Sequence, residues 1–146
     1  MTDRDAIAAL IHAYAERIDG GDLEGVAELF AHGTFGAPGA AVRRGADELL
    51  AVLRRVVILY DGVPRTKHVV TNLVIEVDAE RATATARSYF TVLQATQTLP
   101  LQVVIAGRYA DRFERAEGTW RFADRVVHMD LLGDVSQHVR WEGGER

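Results

Sequence analysis

The spacing of apolar residues changes once along this chain, and that single change restricts what it can fold into. Up to about residue 60 the apolar positions recur every three or four residues, as on one face of a helix. From residue 66 onward they fall in long runs rich in Val, Thr, Ile, Tyr and Phe. Helices first and strands afterwards, without alternation of the two, predict an α+β fold in which the helices cover one face of an antiparallel sheet.

In the first part, Ile7, Leu10, Ile11, Tyr14 and Ile18 mark a helix over residues 3–18, and Thr2 with Asp5 has the form of a capping box. Gly20-Gly21 stops it, and Asp22 caps a second helix carrying Leu23, Val26, Leu29 and Phe30. Glycines and Pro38 break residues 31–45 into what reads as a small hairpin. From Asp47, the positions Leu49, Val52, Leu53, Val56, Val57 and Tyr60 predict a third helix, closed by Asp61-Gly62-Val63-Pro64. Four long antiparallel strands follow at 66–78, 81–95, 99–114 and 119–132. A strongly curved sheet covered by three N-terminal helices makes a cone with a blind apolar interior, a shape that takes a small molecule.

Residues 1–146 read as one domain, long enough to bury a core without a disulfide or structural metal. With 0 Cys, a thiolate nucleophile and any cysteine-based metal site are excluded. The longest aliphatic stretches, 56–59 and 101–106, are far shorter than the ~18–20 residues of a membrane span. Met1-Thr2-Asp3-Arg4-Asp5 has neither the cationic nor the apolar region of a signal peptide, so the expectation is a cytoplasmic protein. Seventeen basic against 21 acidic residues, a net charge of −4, disfavour nucleic acid as a partner.

Without cysteine, histidine is the natural carrier of protons near neutrality. His12 falls on the outer side of the first helix, and His32 and His138 fall in loops, where solvated side chains are expected. His68 differs, lying early on a mostly apolar strand and sharing a face with Val70 and Asn72, so it is expected to look inward. A lone inward histidine is also what a satisfied core residue looks like. Asp19 sits at the C-terminal end of the first helix, where an acid opposes the helix dipole and needs another partner, a role a histidine would fill. Tyr14 belongs to the buried stripe of the same helix.

Tyr109 and Asn72 face inward, and Arg108, Arg112 and Glu114 outward, if no bulge intervenes; a shift of one residue would exchange the two faces. Arg125 and His128 on the last strand carry the same ambiguity. No pair of histidines has metal-ligand spacing, no glycine-rich phosphate loop follows a strand, and Gly-x-Ser-x-Gly is absent. A cofactor-free protein is the expectation.

The series Tyr14-Ala15-Glu16-Arg17-Ile18-Asp19-Gly20-Gly21-Asp22, then Leu29-Phe30, Arg65-Thr66-Lys67-His68-Val69-Val70-Thr71-Asn72, Gly107-Arg108-Tyr109-Ala110-Asp111 and Trp120-Arg121-Phe122-Ala123 resembles the SnoaL-like branch of the nuclear-transport-factor-2-like superfamily. The resemblance runs in order over nearly the whole chain. It implies a cone-shaped α+β domain that dimerises through its sheet. Among the members it is similar to bile acid 7α-dehydratase and scytalone dehydratase, whose Asp and His dyad positions match Asp19 and His68, and Tyr14 matches the tyrosine of the bile acid enzyme. The second histidine of scytalone dehydratase would fall near Thr96, and the C-terminal arginine of the bile acid enzyme near Met129.

The activity expected from that resemblance is cofactor-free elimination of water from a small hydrophobic carbonyl compound of polyketide, steroid or terpenoid type. In it Asp19 fixes and stabilises the His68 imidazole, His68 removes a proton beside the carbonyl, and Tyr14 donates to the enolate or the departing hydroxyl, with Tyr109 and Asn72 as secondary donors. Phe30, Phe35, Leu53, Val57, Tyr60, Phe90, Val92 and Ile105 are the expected pocket wall, joined by His128 if it turns inward. Cyclisation and isomerisation begin with the same enolate and stand as alternatives, as does a non-catalytic binding or scaffold module.

Overall fold

A computed structural model of the chain describes residues 1–140. Three helices, α1 (Asp3–Asp19), α2 (Leu23–Glu28) and α3 (Gly45–Val56), are combined with strands β1 (Thr34–Gly36), β2 (Arg43–Arg44), β3 (Thr66–Asp78), β4 (Thr83–Gln94), β5 (Gln102–Ala116) and β6 (Thr119–Leu132). The strands form one curved, unclosed sheet in the order β2-β1-β6-β5-β4-β3. The four long strands pair antiparallel in sequence order, and the small hairpin β1-β2 extends the sheet with β1 parallel to β6.

The start of α1 is fixed as its sequence predicts. Thr2 accepts from the Asp5 amide while Asp5 accepts from the Thr2 amide, a complete capping box. The helix is then tied to the sheet at β3 and at β6, since Arg4 Nη1 donates to the Ile75 carbonyl at 2.6 Å and Trp120 Nε1 donates to Asp3 at 2.9 Å. Ile7, Ile11, Tyr14 and Ile18 are thereby buried against the concave face of the sheet. Gly21 turns the chain at φ +75, and a Cβ there would lie 1.8 Å from the Gly62 carbonyl oxygen, so only glycine fits. Asp22 caps α2 by accepting from the Gly25 amide.

α3 begins at Gly45 and ends at Val56, four residues short of the Tyr60 expected from spacing. The β-branched run Val56-Val57-Ile58 favours extended backbone, and Val57 leaves the helix to form a bridge with Val139 near the C-terminus. Tyr60 consequently sits in a turn, bridged to Val63.

Bulges bend the sheet and decide which side chains point into the cone. One lies in β3 between Thr71 and Val74, where Asn72 takes the left-handed conformation at φ 54. Another interrupts the β5-β6 pairing between Arg112 and Phe113, so that Phe122 and Arg125, an odd number of residues apart, both turn inward. No helix among the described residues is long and apolar enough to cross a membrane.

Candidate functional site

Asp19 ends α1 close to the first residues of β3, and its carboxylate is satisfied from that strand. Oδ1 accepts from the Thr66 hydroxyl at 2.8 Å and lies 2.6 Å from Nδ1 of His68, while Oδ2 accepts from the His68 amide at 2.8 Å. The same carboxylate thus holds both the backbone and the ring of His68. A carboxylate only accepts, so the proton of the neutral imidazole sits on Nδ1 and the lone pair is left on Nε2. Burial pushes the Asp19 carboxyl up, but the His68 ring, the His68 amide and the Thr66 hydroxyl outweigh it and hold the group below the usual carboxylate range. The two side chains are only 7% and 11% exposed, so this pair is screened from bulk water.

Tyr14, a little over one helical turn before Asp19, presents its ring edge-on to His68, with centroids 6.4 Å apart. It also packs against Phe30, Phe35 and Tyr109. Burial raises the Tyr14 hydroxyl above its ordinary pKa, with the positive Arg125 opposing. Tyr109 is raised well above its ordinary value, first by its own burial. Both phenols therefore keep their protons at neutral pH.

Behind the tyrosines lies a buried ion pair that spacing could not assign. Arg125 Nε and Nη2 donate in parallel to the two oxygens of Asp111 at 2.7 and 2.9 Å. The guanidinium stacks 3.7 Å from the centre of the Tyr109 ring and 4.4 Å from that of Tyr14. Burial alone would lower the Arg125 pKa, yet Asp111 more than compensates and raises it. Arg125 is charged, and one of its nitrogens, Nη1, has no hydrogen-bond partner.

Most of the residues expected as pocket wall are packed in the core. Phe30, Leu53, Val57, Phe90, Val92 and Ile105 are buried, Phe90 stacks on Tyr109 at 4.4 Å, and Phe35 is half-buried against Tyr14 and Phe30. Half-buried Tyr60 donates its hydroxyl proton to the Gln137 carbonyl.

Three expectations are corrected. Asn72 is exposed, because its bulge shifts the β3 alternation by one residue. It shares a shallow depression on the outer sheet face with Tyr89, Arg108 and His128. His128 points outward with Arg108, its direct partner across the β5-β6 pairing, so neither it nor Asn72 faces the dyad. His138, expected in solvent, is 6% exposed, and its ring centre lies 6.2 Å from that of His68. His12 and His32 are exposed as expected. The outward ladder is also present, with Arg108 paired to Asp130, Arg112 to Asp124 and Arg121 to Glu114.

Comparison with known proteins agrees with this architecture. A family model described as a SnoaL-like domain matches residues 1–126. Among solved structures, Rv3472 of Mycobacterium tuberculosis, described as of unknown function, is 33% identical over 91% of this chain and 75% of its own, with a TM-score of 0.73. A Novosphingobium aromaticivorans protein with the provisional name scytalone dehydratase is 23% identical over 94% of this chain and 89% of its own, TM-score 0.74. The β subunit of a provisionally named aromatic-ring-hydroxylating dioxygenase from the same organism is 22% identical over 88% and 90%, TM-score 0.70. No curated protein matches significantly. Matched over most of its length and built on the corresponding fold, the chain belongs to the SnoaL-like domain family.

Proposed function

We propose that this protein is a cofactor-free acid–base enzyme, a dehydratase acting in the cytoplasm on a small hydrophobic carbonyl compound. The observation that carries this reading is the 2.6 Å contact between Asp19 and Nδ1 of His68, which leaves Nε2 as a base in a water-poor setting. Nε2 takes the proton beside the substrate carbonyl, and the electron pair of that C–H bond forms an enolate. Asp19 stabilises the resulting imidazolium, and Tyr14 donates to the enolate oxygen or to the departing hydroxyl. When the C–O bond breaks, the hydroxyl leaves as water with the proton held by the imidazolium, passed either directly or through Tyr14, which the imidazolium then reprotonates. The scytalone dehydratase name of one structural neighbour points the same way.

Cyclisation or isomerisation would use the same enolate, and product mass separates them: elimination removes one water and isomerisation removes nothing. The test is turnover of a panel of β-hydroxy ketones on aromatic and polycyclic skeletons, followed by mass spectrometry. Loss of water by the native chain, with His68→Ala and Asp19→Asn slowed at least a hundredfold, is the expected result. Equal turnover by native chain and both variants on a confirmed substrate overturns the dyad mechanism.

The complete burial of Arg125, Asp111 and Phe30 inside the cone favours a second reading, a non-catalytic module whose Asp19–His68 pair serves only the core. Under it the native chain turns over no compound of the panel. Both readings include pairing of two copies through the outer sheet face, where Val69, Val74 and Tyr89 are exposed; sedimentation velocity measures it.

A further inference from the structure

Next to the dyad, a second imidazole is held without a job. His138 belongs to the segment after β6, and that segment is fastened from several sides. The Ile58 amide donates to the His138 carbonyl, the Arg140 amide to Val56, and the Gln94 side chain to the Gln137 carbonyl at 3.0 Å. Gln137 is further bonded to Thr96 and Thr98. The backbone is therefore well fixed, yet the ring it delivers is unpaired: Nδ1 of His138 is buried with no hydrogen-bond partner. The Oε1 atom of Gln94, whose Nε2 is bonded to the adjacent Gln137, is a second buried orphan at this end of the cone.

Leaving a buried polar group unsatisfied costs more than the average hydrogen bond returns, so such a group in a fixed position calls for a partner that arrives from outside. The position of the ring says what kind. Its centre is 6.2 Å from that of His68, tilted by 58°, close enough for one small carbonyl unit to touch both rings.

We propose that His138 is a substrate-binding residue, which donates its ring hydrogen to a carbonyl or hydroxyl oxygen of the molecule whose acidic C–H faces Nε2 of His68. This rests on the acid–base reading of the dyad above and adds to it a donor, separate from Tyr14, for an oxygen of the same substrate. Burial, then the neighbouring His68 charge, lower the His138 pKa to about 4, with Asp19 opposing. At neutral pH the ring is uncharged and has one donor to offer. A neutral imidazole polarises a carbonyl without handing over a proton, so the proton removed by His68 stays on His68 until it leaves with the hydroxyl.

The probe is 4-nitrophenol, flat and aromatic, with an oxygen that imitates an enolate. It is titrated into the full chain while the side-chain nitrogens of both histidines are followed by long-range ¹H–¹⁵N correlation, and affinity is read from absorbance. The expected result is that both rings shift on binding. Replacement His138→Phe should weaken binding roughly tenfold or more, and His138→Asn, which keeps a donor, should stay within about threefold. If only His68 shifts, or His138→Phe melts normally and binds as tightly as the native chain, the role given to His138 is overturned while the dyad reading stands. If neither ring responds, both are overturned. Should His138→Phe fail to melt cooperatively, the shifts of the native rings decide.

Discussion

Arg125 and Asp111 face each other across β5 and β6 through two parallel hydrogen bonds of 2.7 and 2.9 Å, and both side chains are 0% exposed. Removing either partner strands a charge where no water reaches. Asp111→Leu and Arg125→Met are each expected to destabilise the fold by about 3–5 kcal/mol, while the Arg125→Met/Asp111→Leu double variant loses far less than the sum. Urea unfolding of the three variants measures this. Additive losses would mean the pair is not acting as a unit.

Acid should act on this protein in two separate windows. The folded pKa of His138, about 4, lies below the 6.5 of a free imidazole, so between those values the unfolded chain binds a proton that the folded one refuses. Stability should fall as pH drops from 6.5 toward 4, with His68 and Asp19 the titratable groups acting on the ring, and His138→Asn should flatten this stretch. Asp19 works lower down. Its folded pKa is depressed, so its contribution is full above the unfolded value near 3.8 and is lost as pH falls through the folded one; Asp19→Asn removes that loss. Urea midpoints measured from pH 7.5 to 2.5 on the three chains test both windows.

Asn72 holds a left-handed backbone at the β3 bulge. Asn72→Ala is expected to cost about 1 kcal/mol, because a Cβ without a local hydrogen-bonding group disfavours positive φ, and Asn72→Gly should be close to neutral. Since the side chain faces away from the dyad, neither change should alter 4-nitrophenol affinity. Thermal melts and the absorbance titration check the two halves of this expectation.

At Gly21 a methyl group has nowhere to go, 1.8 Å from a carbonyl oxygen and on a backbone at φ +75. Gly21→Ala should destabilise by about 2–4 kcal/mol and move the end of α1, displacing Asp19 from His68. The ¹⁵N resonance of His68 Nδ1 reports the displacement directly, and an unchanged resonance would show that the turn does not set the contact.

Much of this was readable from the letters, for reasons that are local. Thr2, Asp5 and Asp22 announce their helix ends because capping uses atoms a few residues apart. Asp19 and His68 stand out in the sequence because an acid opposing a helix dipole and an imidazole on an apolar strand each lack an obvious local partner. Asn72, Arg125 and His128 could not be oriented, since one inserted residue in a strand exchanges its two faces and leaves no mark on composition. Residues 133–140 carry no period, so the burial of His138 is illegible in the letters; its backbone is held through Val56, Ile58 and Gln94, far away in sequence. The burial of Arg125 rests on Asp111 across the sheet and on two stacked phenol rings, contacts that strand alternation alone does not assign.

The residues around His68 come from distant parts of the sequence, Asp19 from the end of α1 and His138 from the segment after β6. During synthesis on a ribosome the acid and its strand partner emerge well before the opposite ring. A nascent chain halted after β6 would hold the Asp19–His68 pair without the His138 ring beside it, so the two imidazoles can meet only once residues 133–140 have been made.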